Sequence, residues 1–169
     1  ESELYGHQKG AFTAAQYNKV GYLEQAHRGT LILDEINSTT PAFQARLLRV
    51  IEEGEFKKVG STKTMKVDVR FISISNASLE EKVADNTFRK DLYYRLNVVG
   101  IQVPPLRERP TDVPAIVQHF IGEFAGADPS KLASVSDDAL NMMMQYEWPG
   151  NIRQLRNVVE RALVIGNKK

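Results

Sequence analysis

The sequence predicts an α/β fold with a parallel sheet, followed by a small all-helical subdomain. Three observations carry this. Leu31-Ile32-Leu33 and Phe71-Ile72-Ser73-Ile74-Ser75 are short apolar runs of the length and composition of strands buried on both faces. Stretches with helical spacing lie between and after them, and strands alternating with helices argue for parallel pairing. Prolines at 104, 105 and 110 then disfavour helix and central strand alike, and only helical patterns follow.

Residues 1–29 are polar and dotted with glycine, with Tyr5, Phe12, Tyr17 and Tyr22 spaced along them. The first apolar run ends in Asp34-Glu35. Thr40-Pro41 then starts a helix, Thr40 as cap and Pro41 at the first helical position, where its missing N–H costs nothing. Phe43, Leu47, Leu48 and Ile51 form the expected buried stripe, and Gly54 ends the helix. Glu55–Val59 and Lys66–Arg70 flank Gly60-Ser61-Thr62-Lys63 as the arms of a hairpin, the second arm running on into the Phe71–Ser75 strand and ending at Asn76. Residues 79–84 and 88–95 are expected to be helical, and Val98 to Val103 a third strand. Beyond the prolines, one helix is expected from Asp112 to about Phe124 and a second after Ser136, with Leu140, Met143 and Met144 on its apolar side. A third follows Pro149-Gly150-Asn151, with Asn151 as cap, Gln154 completing a capping box, and Ile152, Leu155, Val158, Val159 and Ala162 facing inward. The expected division is an α/β core over 1–103, a proline-rich linker over 104–111 and a helical subdomain over 112–169.

Length and composition exclude several classes. The 169 residues are enough to bury one core. Basic residues number 22 and acidic 21, a net charge of +1, so there is no global electrostatic case for nucleic acid. The chain contains no cysteine, which excludes disulfides and thiolate metal sites and fits the cytoplasm. No apolar run approaches a membrane span. His7, His27 and His119 lack metal-ligand spacing.

Four groups of residues carry candidate chemistry. Asp34-Glu35 at a strand's end has the form of a Walker B element, one carboxylate holding Mg²⁺ through water and its neighbour polarising the attacking water; the plainer alternative is a strand that merely ends in acids. Arg89 and Arg95 carry the planar, permanently charged fork that suits a transferred phosphoryl group. The plainer alternative pairs Asp91 with Arg95 as a solvated helical salt bridge. Arg153 lies in the first turn of a helix, where a cation is mildly unfavourable, which favours a ligand role. With Arg156 and Arg161 it also suggests a DNA-reading helix, against which Glu160 and the neutral overall balance argue. Asn76 suits a water-orienting or phosphate-sensing position, or simply an Asn-Ala-Ser turn.

Together these pieces resemble one family, the AAA+ central domain of sigma-54-dependent transcriptional activators, over essentially the whole chain. Glu1 to Ala15 resembles ESELFGHEKGAFTGA, Gly29 to Ile36 resembles GTLFLDEI, and Leu47 to Gly60 resembles LLRVLQEGEFxRVG. Phe88 to Asn97 resembles FREDLYYRLNV, Val103 to Arg109 resembles LPPLRER, and Trp148 to Asn157 resembles WPGNVRELxN. The resemblance implies a truncated AAA+ P-loop NTPase-type sheet with a C-terminal helical lid. It implies Asp34 and Glu35 as the Walker B pair, Asn76 at sensor I, Arg89 and Arg95 as arginine fingers on ATP held by a neighbouring subunit of a ring (commonly a hexamer), and Arg153 as the sensor II arginine. Gly10, Ala11, Phe12, Thr13, Ala14 and Ala15 would form the loop that contacts sigma-54, with Gly60 to Lys63 in a second pore-side loop. ATP and Mg²⁺ are the implied cofactors, and sigma-54 with RNA polymerase the implied partner. DNA would be reached only through other domains.

Three departures qualify this. The family's GxxxxGK[ST] phosphate loop does not occur in the 169 residues, whose start corresponds to a point downstream of it, so they alone are expected to bind ATP poorly and to leave apolar sheet surface uncovered. Ala14 stands where the family has a second glycine, and Arg28 where it has the first of two glycines before the acidic strand. Ala14 is expected to alter loop motion or sigma-54 engagement, because alanine reaches positive φ less readily than glycine; Arg28 is expected to be tolerated. Two rivals remain open: a docking module that binds no nucleotide, and an AAA+ protein of another branch, such as a helicase loader, against which Gly10–Ala15 argues.

Overall fold

The computed structural model describes residues 1–125 and 135–166. The chain divides into two compact units, Glu1–Gly100 and Ile101–Lys169.

In the first unit, two one-turn helices, α1 (Ser2–Tyr5) and α2 (Tyr22–Gln25), precede β1 (Gly29–Leu33). Helix α3 (Pro41–Glu53) leads into a hairpin of β2 (Glu55–Lys57) and β3 (Thr64–Lys66), then β4 (Val69–Ser73), α4 (Leu79–Ala84) and α5 (Lys90–Leu96). β1 pairs in parallel with β4, Leu31 opposite Phe71 and Leu33 opposite Ser73, while β2 and β3 form a separate antiparallel pair. The bounds of α3 follow from local chemistry. The Thr40 hydroxyl accepts from the Phe43 N–H, Pro41 sits at the first helical position, and Gly54 closes the helix at φ 66°. A Cβ on Gly54 would stand 2.8 Å from the Val67 carbonyl oxygen, so the stop serves close approach as well as conformation.

Three strand expectations are corrected. The parallel pair is covered on one face only, which replaces the expected burial on both faces and agrees with the expected uncovered apolar sheet surface. Leu31, Leu33 and Phe71 pack among Leu4, Tyr5, Val50, Phe56, Leu47 and Leu92, whereas Ile32, Ile72 and Ile74 are exposed. Alternation along a strand sends successive side chains to opposite faces, and all the helices of this unit that touch the pair cover the same one. The second hairpin arm does not run on into β4. It breaks at Val67-Asp68, where the Val67 N–H donates to Gly54 O (2.7 Å) and the Asp68 carbonyl accepts from Arg28 N (2.6 Å), handing the chain from one sheet to the other. Val98–Val103 is not a strand: Val98, Val99, Ile101 and Val103 are 79%, 80%, 85% and 72% exposed. Apolar composition fits a strand, but only a neighbouring ladder makes one, and no described strand pairs with this segment.

The second unit contains α6 (Val113–Ala125), α7 (Asp137–Gln145) and α8 (Asn151–Gly166), preceded by two short 3₁₀ turns. Its core is Leu106, Val113, Val117, Phe120, Ile121, Trp148, Leu155 and Val159, with Leu140, Met143 and Met144 packed against it. Ser136 caps α7 by accepting from the Ala139 N–H. Asn151 does not cap α8. Its side-chain oxygen accepts from Leu106 N (2.8 Å), tying the 3₁₀ turn to the helix, while Gln154 accepts from Gly150 N (3.0 Å). The buried seam of α8 is Leu155 and Val159 with Ile152 and Leu163 alongside; Val158 and Ala162 are exposed. Spacing by four keeps Leu155, Val159 and Leu163 on one line, which Val158 and Ala162 leave.

Candidate functional site

The acidic pair lies at the carboxyl end of β1, the edge where parallel α/β sheets bind ligands. Pairing continues past the strand, because Ile74 N donates to Leu33 O (2.8 Å) and Ile36 N to Ile74 O (3.1 Å). Between those bonds the chain turns sharply. Glu35 adopts φ 52°, a left-handed conformation, and its N–H donates to the Asp34 carboxylate at 2.9 Å. Ile36, 1% exposed, anchors the following 3₁₀ turn. Both carboxylates are therefore exposed, and neither has an ion-pair partner among the described residues. A non-glycine residue in this conformation costs about 1–3 kcal/mol, the kind of strain that collects where side chains are aimed for chemistry.

Asn76 lies three residues past β4 and is tied to the segment that follows the acidic pair. Its side-chain oxygen accepts from Asn37 Nδ2 at 2.9 Å, and the Asn37 oxygen accepts from the Ser75 hydroxyl at 3.0 Å. Asn37 was not singled out by the sequence reading, yet it joins the two strand ends. The available signal was an asparagine within four residues of the end of each parallel strand. Asp34 and Glu35 are hard oxygen donors, and no cluster of three or more His, Cys, Asp or Glu occurs among the described residues. One or two carboxylates completed by water fit Mg²⁺, which dehydrates reluctantly, better than a cation needing an all-protein cage.

Arg89, just before α5, and Arg95, in its last turn, form a separate group. The Arg89 fork grips Asp91 at 3.0 and 2.6 Å, and Arg95 donates to Glu52 at 2.9 Å. The expected Asp91–Arg95 pair is thus replaced. Arg89 precedes the helix and folds over its first turn, where Asp91 lies, while Arg95 reaches the last turn of α3. The hydrogen bonds from Arg89 hold the Asp91 carboxyl below the usual range and push the Arg89 guanidinium up. A second residue absent from the sequence reading, Gln44, fixes this region. It is fully buried, donates to Thr39 O (2.9 Å) and Thr87 O (3.2 Å), and accepts from Arg89 N (2.9 Å).

Gly10 to Ala15 make a third group, a closed turn. Gly10 N donates to Ala15 O (2.8 Å) and Ala15 N to Phe12 O (2.9 Å), with Ala15 buried and Thr13 and Ala14 exposed. Phe12 packs edge-on against buried His7, ring centroids 5.0 Å apart, and His7 bridges to Lys19 and Val59. Gly60, at φ 79°, lets Ala11 approach so closely that a Cβ there would lie 2.5 Å from the Ala11 Cβ. The hairpin turn is thereby keyed to the tip. Ala14 is not among the positive-φ residues, so alanine causes no backbone strain there; Arg28, at φ 62°, is. Arg153 is exposed in the first turn of α8, in the second unit.

Residues 1–102 match the family described as Sigma-54 interaction domain, and residues 107–169 that described as AAA+ ATPase lid domain. The chain belongs to the sigma-54 interaction domain family, with the AAA+ architecture of α/β core and helical lid. A Nif-specific regulatory protein of Herbaspirillum seropedicae is 53% identical over 162 residues, 96% of this chain and 30% of its own length. The phenol regulator MopR of Acinetobacter guillouiae is 49% identical over 98% of this chain and 30% of its own. A crystal structure of NtrX from Brucella abortus matches with a TM-score of 0.90 at 40% identity, over 99% of this chain and 38% of that one. Another, in complex with ATP, matches with a TM-score of 0.86 at 42% identity, over 96% of this chain and 35% of that one. The chain thus spans about a third of the length of these relatives.

Proposed function

We propose that this chain is the sigma-54-engaging part of an ATP-dependent transcriptional activator in the cytoplasm, coupling ATP hydrolysis to remodelling of the sigma-54 RNA polymerase closed complex. The observation that carries the proposal is the exposed Asp34-Glu35 pair at a parallel strand end, followed by Asn37, which hydrogen-bonds Asn76 past the neighbouring strand. Asp34 holds Mg²⁺ through water, Glu35 polarises the attacking water and takes its proton, and Asn76 orients that water. Bound Mg²⁺ and ATP supply the reactive phosphoryl group and the neutralisation of its charge. Arg89 and Arg95 exchange Asp91 and Glu52 for phosphate oxygens of a neighbouring subunit's nucleotide in a ring, a hexamer. The guanidinium fork accepts either anion with the same geometry. Arg153 reports nucleotide state to the lid. The Gly10–Ala15 tip contacts sigma-54, and the Gly60–Lys63 turn, keyed to Ala11, moves with it. DNA is bound by other domains of the protein.

The phosphate cradle is not among these 169 residues, since GxxxxGK[ST] does not occur in them. That observation favours one second reading, in which the chain by itself docks on sigma-54 without turnover. ATPase measurements separate the two. In the whole activator, Glu35→Gln is expected to retain ATP binding and lose about 10²-fold or more in turnover, as loss of a general base does. Turnover unchanged by Glu35→Gln overturns the assignment of the acidic pair. Mg²⁺-dependent hydrolysis by residues 1–169 alone overturns the docking reading.

A further inference from the structure

Two of the aromatic residues spaced along the first segment are Phe12, in the Gly10–Ala15 tip, and Tyr17, just beyond it. Both leave much of their surface in water, 42% and 67%, although aromatic side chains gain more than most by burial. Both also lie against the same buried group. The His7 imidazole stands edge-on to Phe12, centroids 5.0 Å apart, and tilted against Tyr17 at 6.2 Å.

The main chain of His7 closes the base of this loop. Its N–H donates to Lys19 O (3.2 Å) and its carbonyl accepts from Lys19 N (2.9 Å). On the other side, Val59 N donates to Gly6 O and Gln8 N to Val59 O, both at 3.0 Å. Almost any residue supplies such main-chain bonds, so they do not explain an imidazole. The side chain adds a connection of its own, because Nδ1 is hydrogen-bonded to the Ser2 hydroxyl of α1 at 2.7 Å. The terminal torsion of a histidine is broad, and this bond selects one orientation of the ring. The imidazole is thereby fixed to α1 on one edge while its remaining surface supports Phe12 and Tyr17. A half-exposed ring without such support changes rotamer within ps–ns, and a partner that needs one arrangement has to arrest that motion.

We propose that His7 is a positioning residue: oriented by Ser2, it holds Phe12 and Tyr17 as one aromatic surface on which sigma-54 docks, so that the contact extends past Gly10–Ala15 to Tyr17. The inference rests on the sigma-54 reading of the tip. Tyr17 is continuous with that tip through the shared imidazole, and tyrosine is among the residues that dominate binding at protein interfaces.

Binding of purified sigma-54 to the whole activator tests this. Phe12→Ala and Tyr17→Ala are each expected to weaken binding about fivefold or more, as truncation of an aromatic anchor does. His7→Ala is expected to weaken it about three- to tenfold, because two side chains then have to be ordered on binding. His7→Phe, which keeps a ring against both, is expected to recover part of that loss. In a Phe12→Ala/Tyr17→Ala background, His7→Ala is expected to have no further effect, since the groups it acts through are gone. A merely structural role predicts the same loss in both backgrounds, and that result overturns the proposal. If His7→Ala does not fold, the same cycle run with Ser2→Ala, which frees the imidazole without removing it, decides. Unchanged binding by His7→Ala or by Tyr17→Ala, where Phe12→Ala weakens it, overturns the positioning inference alone. Unchanged binding by Phe12→Ala overturns the sigma-54 reading of the tip and the inference with it.

Discussion

Arg28 enters β1 at φ 62°, a conformation that places an L side chain's Cβ against its own backbone at a cost of about 1–2 kcal/mol. The Asp68 carbonyl, accepting its N–H at 2.6 Å, fixes it there. Arg28→Gly is therefore expected to stabilise the first unit by up to about 1 kcal/mol, after the larger unfolded-state entropy of glycine is subtracted, read as a higher urea midpoint. Ala14 lacks that strain, so Ala14→Gly is expected to destabilise by about 0.4–1 kcal/mol and to leave sigma-54 affinity unchanged. If instead Ala14→Gly restores stronger sigma-54 binding, the tip needs a flexibility its closed turn does not reveal. The two glycine departures look alike in sequence and differ only in φ, which composition does not encode.

At the scale of elements, Gln44 ties α3 to the start of α5. Gln44→Leu would preserve the helix but leave Thr39 O, Thr87 O and Arg89 N without partners, a loss expected to exceed about 2 kcal/mol in chemical denaturation. A neutral result would show that the α3–α5 junction is held by its apolar contacts alone. Helix α3 was legible because cap, proline and glycine act within a turn of the chain. Gln44 was not legible, since a glutamine among apolar residues reads as a surface position until the Thr87 carbonyl and Arg89 N–H arrive from far along the sequence. The same limit explains Ile32, Ile72 and Val98–Val103, whose apolar character is visible but whose covering and pairing are tertiary facts. Of the candidate site, Asp34, Glu35 and Asn76 were each visible as strand ends. Asn37, which joins them, became visible only when β1 and β4 were seen side by side.

For the whole molecule, the two units have separate apolar cores, and the chain's one tryptophan belongs to the second. Trp148 is 4% exposed and donates from its indole to Met143 O at 2.7 Å, so its fluorescence reports the helical unit. Leu155→Ala is expected to lower the stability read by that signal by about 2–5 kcal/mol, the usual cost of emptying a fully buried leucine site. An unshifted Trp148 transition would mean that α8 is not part of a cooperative core. The parallel pairing of β1 with β4 has a further consequence during synthesis. Gly29 meets Val69 and Leu33 meets Ser73, so β1 waits for about forty more residues before its partner exists. At about 5–20 residues per second, a ribosome leaves the Leu31–Leu33 run unmatched for roughly 2–8 s, an interval in which a nascent chain depends on chaperones to keep it from adhering to its neighbours.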